Sequence, residues 1–122
     1  MTVATTRRPR WVYGTGEEPD ARFSLANERT FLAWVRTALA LLAGGVALEA
    51  LDLPVEPRLR MAAAVLLVAL GTAAPLLAWL GWARAERAIR RGEPLPPPTG
   101  VAVLVAGVLV AGGLVLVGLL LA

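Results

Sequence analysis

The sequence predicts an all-α integral membrane protein with three transmembrane helices and an amphipathic N-terminal extension of the first. Three observations predict it. Of 122 residues, 57% are apolar and only 17% charged, and the mean hydropathy is +0.67, whereas an average soluble domain carries about 25% charged residues. Two stretches carry no charge at all, Met61 to Ala83 with 23 residues and Val101 to Ala122 with 22 residues. About 20 helical residues cross a hydrocarbon core of about 30 Å, so each suffices for a span.

The first span is less regular. Thr37 to Leu51 is apolar except for Glu49 and is too short alone; extending it back to Phe31 makes it long enough and brings Arg36 inside. Residues 1–19, rich in Pro, Gly and Thr without periodicity, read as a disordered cytoplasmic arm. Residues 20–122 form the membrane domain, with spans at about 31–51, 61–83 and 101–122, and a basic amphipathic entrance to the first helix from Asp20 or Ala21. Arg84, Arg87 and Arg91 follow the second span at i, i+3 and i+7, which extends that helix beyond the membrane until Gly92 stops it. Pro94, Pro96, Pro97 and Pro98 make a stiff return linker. The third span has neither aromatic nor charged side chains. Gly107 and Ala111 form a small-xxx-small pair, and Gly112, Gly113 and Gly118 add further close-approach points.

Orientation follows from arginines. Residues 1–36 carry Arg7, Arg8, Arg10, Arg22, Arg29 and Arg36; the first loop carries Arg58 and Arg60; the second carries Arg84, Arg87, Arg90 and Arg91. The positive-inside rule puts the N-terminus and second loop in the cytoplasm and Ala122 outside.

Composition also excludes chemistry. With no Cys and no His, there is no thiolate, disulfide, iron–sulfur cluster or imidazole ligand or base. The acids are scattered and no nucleophile–base pair is visible, so no catalytic, cofactor-binding or metal-binding residue is expected, and no enzyme. A pI near 11 suggests nucleic acid, but the arginines are confined to membrane-proximal positions, so none is expected as a partner.

The most informative stretch is Arg22 to Gly45. Arg22, Arg29 and Arg36 recur every seven residues, so they drift only about 20° per step and share one stripe. The same side collects Ala26, Thr30, Ala33, Thr37, Ala40, Gly44 and Ala47; the other collects Phe31, Trp34, Val35, Leu39, Leu41, Leu42 and Val46. Such a small, basic face suits the interior of an assembly, with the three arginines lining an anion path. Glu28 lies about 100° round the helix from Arg29 and suits pairing to a neighbouring helix. Topology and anionic-lipid contact account for Arg84, Arg87, Arg90 and Arg91. Snorkelling accounts equally well for Arg36.

Ala26-Asn27-Glu28-Arg29-Thr30-Phe31-Leu32-Ala33-Trp34, followed by Arg36-Thr37 and an Ala/Leu/Gly run, closely resembles the YidH-like family of small bacterial inner-membrane proteins. The Asn-Glu-Arg-Thr-Phe-Leu-x-Trp core also occurs in the membrane domain of eukaryotic vacuolar transporter chaperone subunits. Trp82 and Ala88-Ile89-Arg90-Arg91-Gly92 are similar to the basic end of that domain's second helix. The resemblance covers residues 20–122. It implies three spans, a bacterial inner-membrane location and an unassigned bacterial function. In the chaperone complex this domain forms a pentameric polyphosphate channel lined by first helices. By motif, Arg22, Glu28 and Arg29 match pore or gate positions, and a basic residue among Arg84 to Arg91 matches the second-helix end. Two departures bear on substrate: this chain has neither the polymerase nor the inositol-phosphate sensor of that pathway, and Arg36 is replaced there by an uncharged residue.

Two function classes follow. One is an oligomeric conduit for phosphate or polyphosphate, whose oxygens match guanidinium forks. The other is a non-transporting scaffold or accessory subunit that binds a partner or anionic lipid through its arginines. Both expect membrane lipid as surroundings and a homo-oligomer, or a hetero-oligomer with a related subunit.

Overall fold

A computed structural model describes residues 6–122. They form four helices: α1 (Arg10–Tyr13), α2 (Ala21–Ala50), α3 (Pro57–Arg91) and α4 (Thr99–Leu121). The last three are long and apolar enough to cross a membrane, and the described residues contain no strand. The fold class is therefore the one expected.

Local chemistry marks where α2 and α3 begin and where α3 ends. Asp20 caps α2 by accepting the Arg22 N–H at 2.9 Å, and Glu56 caps α3 by accepting the Leu59 N–H at 3.0 Å. Pro57 opens α3 at a position whose N–H has no helical partner in any case. The helix runs through Pro75 to the basic cluster and stops at Gly92, whose φ of 65° only glycine adopts without strain. There the Glu93 N–H reaches the Ala88 carbonyl at 2.9 Å, satisfying an acceptor that would otherwise end the helix unpaired. The expected extension of α3 past Arg84 to Gly92 is thus present.

α3 is the central element. α2 and α4 both pack on it, and they meet each other where the Trp34 ring of α2 reaches Gly100 at the start of α4. Two glycines let the α2 and α3 backbones approach. A Cβ added at Gly45 would lie 2.9 Å from the Ala64 carbonyl oxygen, and one at Gly71 would lie 3.0 Å from that of Ala38. On α4, Gly107 meets the Leu70 side chain, Ala111 is buried, and Gly118 meets Val55. Gly112 and Gly113, expected as close-approach points, instead face open space, because they fall on the side of α4 turned away from α3. At the far end of the bundle, Arg60 ties the α2–α3 turn through the Leu53 carbonyl at 3.0 Å and Glu49 at 3.4 Å.

The arm departs from expectation. The expectation of a disordered arm covers residues 1–19; residues 1–5 lie outside the described residues, and residues 6–19 lie against the basic end of α3 with Val12 fully buried (0% exposed). Arg90 supplies the reason, holding the arm by its main chain as described below.

Candidate functional site

The Asn27-Glu28-Arg29-Thr30 core divides around the helix. Asn27 turns inward: its Nδ2 donates to the Trp82 carbonyl and to Glu86 Oε2, both at 3.0 Å. Ser24, one turn earlier, donates its hydroxyl to Glu86 Oε1 at 2.5 Å. Glu86 is only 4% exposed, and a buried carboxylate is tolerated only when such donors replace its lost water. These three residues form a polar junction between α2 and α3. Thr30 turns back on its own helix and donates to the Ala26 carbonyl at 3.3 Å. Glu28 and Arg29 turn outward, are exposed, and among the described residues have no side-chain partner.

Arg22, Arg29 and Arg36 are all exposed. The α2 residues buried or half-buried toward α3 include Ser24, Asn27, Phe31, Ala38, Leu41 and Gly45. At about 100° per residue, the arginine stripe lies about 170° from the centre of that face. Ala26, Thr30, Ala33, Thr37 and Ala40 are exposed beside it. The basic stripe and most of the small residues thus share the surface that the chain's own helices leave uncovered. Arg22 is paired with Asp20 at 2.9 Å; Arg36 has no ion pair among the described residues. A Cβ at Gly100 would lie 2.8 Å from the Trp34 ring, so α4 begins level with that ring. Along the α2 axis Arg36 lies about 3 Å deeper than Trp34, whereas Arg29 lies about 7.5 Å and Arg22 about 18 Å toward the basic end.

The second basic cluster divides as well. Arg84 is exposed with no side-chain partner among the described residues, and Arg91 pairs with Glu93 at 2.9 Å. Arg87 Nη1 donates to the Trp11 carbonyl at 3.0 Å. Arg90 is 8% exposed, and its guanidinium donates at 3.1 Å each to the Thr15 carbonyl, the Tyr13 carbonyl and Glu18 Oε2. It also lies 5.5 Å from the centre of the Tyr13 ring. Arg90, expected at the surface as an anion or lipid contact, is therefore occupied by the arm. In return the Glu17 N–H caps the Arg90 carbonyl at 2.9 Å. Gly16 permits this approach with φ of 65°, and a Cβ there would sit 2.0 Å from the Arg90 oxygen. Arg7 and Arg90 both donate to Glu18 and hold its carboxyl down to about 2.

The described residues hold no group of three or more His, Cys, Asp or Glu side chains that could bind a metal ion. Residues 22–88 match the family described as a domain of unknown function, DUF202. The chain is 50% identical over 82 residues to the inner membrane protein YidH of Escherichia coli (strain K12), covering 66% of this chain and 71% of that one. It is 51% identical over 84 residues to an uncharacterized protein of Mycobacterium tuberculosis (strain CDC 1551 / Oshkosh), covering 67% and 68%. No solved structure matches. A match over more than half of the chain, a half-identical inner-membrane relative and three apolar helices lead to one assignment: the chain belongs to the DUF202, YidH-like family and is a multi-pass protein of the bacterial inner membrane.

Proposed function

We propose that this protein assembles through the outward face of α2 into an oligomeric conduit for phosphate or polyphosphate, with Arg22, Arg29 and Arg36 as its basic entrance. The observation that carries the reading is the position of the arginine stripe opposite α3, among exposed alanines and threonines. Left against lipid, an arginine within a span costs about 2.5–3.5 kcal/mol on insertion scales. Closed against other copies, or against a related subunit, the same face becomes a ring of guanidinium groups that replace an anion's lost hydration. Glu28, exposed and without a side-chain partner among the described residues, is available to pair with a neighbouring copy and hold Arg29 in place. The arginine counts put the arm and the α3–α4 linker in the cytoplasm and the end of α4 outside, so the entrance opens to the cytoplasm. No catalytic role is proposed.

A second reading is favoured by depth. Arg36 lies only about 3 Å beyond the level at which α4 begins, and arginine side chains at such a depth reach the headgroups. On that reading the chain is a scaffold or accessory subunit that binds anionic lipid or a partner and transports nothing.

Flux of phosphate and polyphosphate into proteoliposomes decides between them. The conduit reading expects flux above empty liposomes, reduced in Arg29→Ala and altered in Arg29→Lys, which keeps charge but loses the bidentate fork. Absence of flux at every applied potential would leave the scaffold reading.

A further inference from the structure

An elongated groove of about 640 Å³ opens at the basic end, between α2, α3 and the proline linker. Its walls are apolar: Phe31, Trp34, Leu77, Trp82 and Pro97 are among the residues that line it. Sites of about 300–1,000 Å³ hold single small ligands. We propose that this groove seats one anionic phospholipid, with its phosphate on Arg84 and its upper acyl chain against Trp34 and Leu77.

Three observations commit the groove to that occupant. Its deep end lies at Trp34 and Gly100, level with the start of α4 and hence with the edge of the apolar span. Arg84 lies seven residues along α3 from Leu77, about 10 Å toward the basic end, where the phosphates of that leaflet run. The two charged side chains of the lining are Arg84 and Glu93, and Glu93 is already neutralised by Arg91 at 2.9 Å. A single unmatched cation therefore faces an apolar trough at headgroup depth, which is complementary to an anionic amphiphile. The site shares Ala26 and Thr30 with the edge of the outward α2 face but none of the stripe's arginines, and it stands whether or not that stripe conducts anions.

Gly81 provides a clean perturbation, because it lines the groove and a side chain added there meets nothing within 4 Å. Leucine at this position fills the trough without displacing the helices. Trp34 and Trp82 line the groove, whereas Trp11 and Trp79 do not, so a Trp11→Phe/Trp79→Phe background reports from inside it. The full chain in phosphatidylcholine vesicles is titrated with a few mole per cent of acyl-brominated phosphatidylglycerol or acyl-brominated phosphatidylcholine. Tryptophan quenching should favour phosphatidylglycerol by about fivefold, the value of about one arginine–headgroup contact. Arg84→Gln should abolish the preference, and Arg84→Lys should retain it. Arg8→Gln, the same charge change outside the groove, should leave it unchanged. Gly81→Leu should lower quenching by both lipids while the circular-dichroism spectrum stays helical. Equal quenching by the two lipids in the unsubstituted groove overturns the proposal. So does a Gly81→Leu variant that dissociates the oligomer without changing quenching, since the groove would then be filled by a second copy.

Discussion

Replacing Arg90 by Met tests whether one guanidinium holds the arm to α3. The side chain is 6% exposed and donates at 3.1 Å to the Tyr13 carbonyl, the Thr15 carbonyl and Glu18. Removing one partner of a buried, charge-assisted network costs about 3–5 kcal/mol, or about two to three and a half powers of ten in an equilibrium constant. What remains is the buried Val12 side chain, the Tyr13 ring against Trp82, the Arg87 bond to the Trp11 carbonyl and the Glu17 N–H on the Arg90 carbonyl. Each ordered residue of the arm costs conformational entropy that these fewer contacts must offset without Arg90. The arm should therefore detach while α2, α3 and α4 stay packed, because among the described helices α1 packs on α3 alone. Hydrogen exchange in detergent or nanodiscs reads this directly: the Glu17 amide should exchange faster by about two to three and a half powers of ten, and trypsin should cut after Arg10. Arg90→Lys, a point charge without the fork, should be intermediate. Arg91→Met, which loses only its pair with Glu93, should match the wild type. An unchanged Glu17 exchange rate in Arg90→Met would refute the argument.

Acid should release the same arm. Glu18 is held at about 2 by Arg7 and Arg90, below its ordinary value of 4.5. Its contribution is therefore complete above about pH 4.5 and lost as pH falls toward 2; arm protection should be flat from pH 7 to 5 and decline below that. Glu86→Leu should lower thermal stability by about 1–3 kcal/mol, because the Ser24 hydroxyl and the Asn27 amide each lose an acceptor at the α2–α3 junction; circular dichroism against temperature checks this. Gly71→Val should cost a similar about 1–3 kcal/mol by driving a side chain into the Ala38 backbone. Gly112→Ala, with open space around it, should leave the same melt unchanged.

Helix positions were legible in the sequence for physical reasons that act locally. Charge-free runs define spans, Asp20 is a capping residue, and Gly92 after a basic turn is a stop; the start of α3 at Pro57, behind the Glu56 cap, precedes the charge-free run and lies in what reads as loop. The arginine stripe was legible too, since a seven-residue repeat on a helix needs only the helical period. The docked arm was not. Arg87 and Arg90 bind it chiefly through the carbonyls of Trp11, Tyr13 and Thr15, and every residue type presents the same carbonyl. One signal did exist: Arg90 stands about 60° beyond Arg87 and about 100–120° from Arg91 and Arg84, on the flank where Arg87 also binds the arm. The Ser24–Asn27–Glu86 junction was hidden differently. Its members are 59 or more positions apart across the hairpin, and their pairing depends on the α2–α3 register, which Gly45 and Gly71 set by backbone contact.

The bond between Glu17 and Arg90 has a consequence for how the chain enters the bilayer. Its two ends are separated by α2 and α3, so they can meet only if both helices have crossed and returned the chain to the side it started from. During synthesis the arm emerges first and finds no docking surface until α3 has been made and inserted. A chain with a single span threaded, or with the hairpin stalled, leaves the arm loose and its arginines open to proteases. Closure of the arm is thus a latch that shuts only on a completed hairpin, and its protection marks, in a growing chain, the moment at which insertion of α2 and α3 is finished.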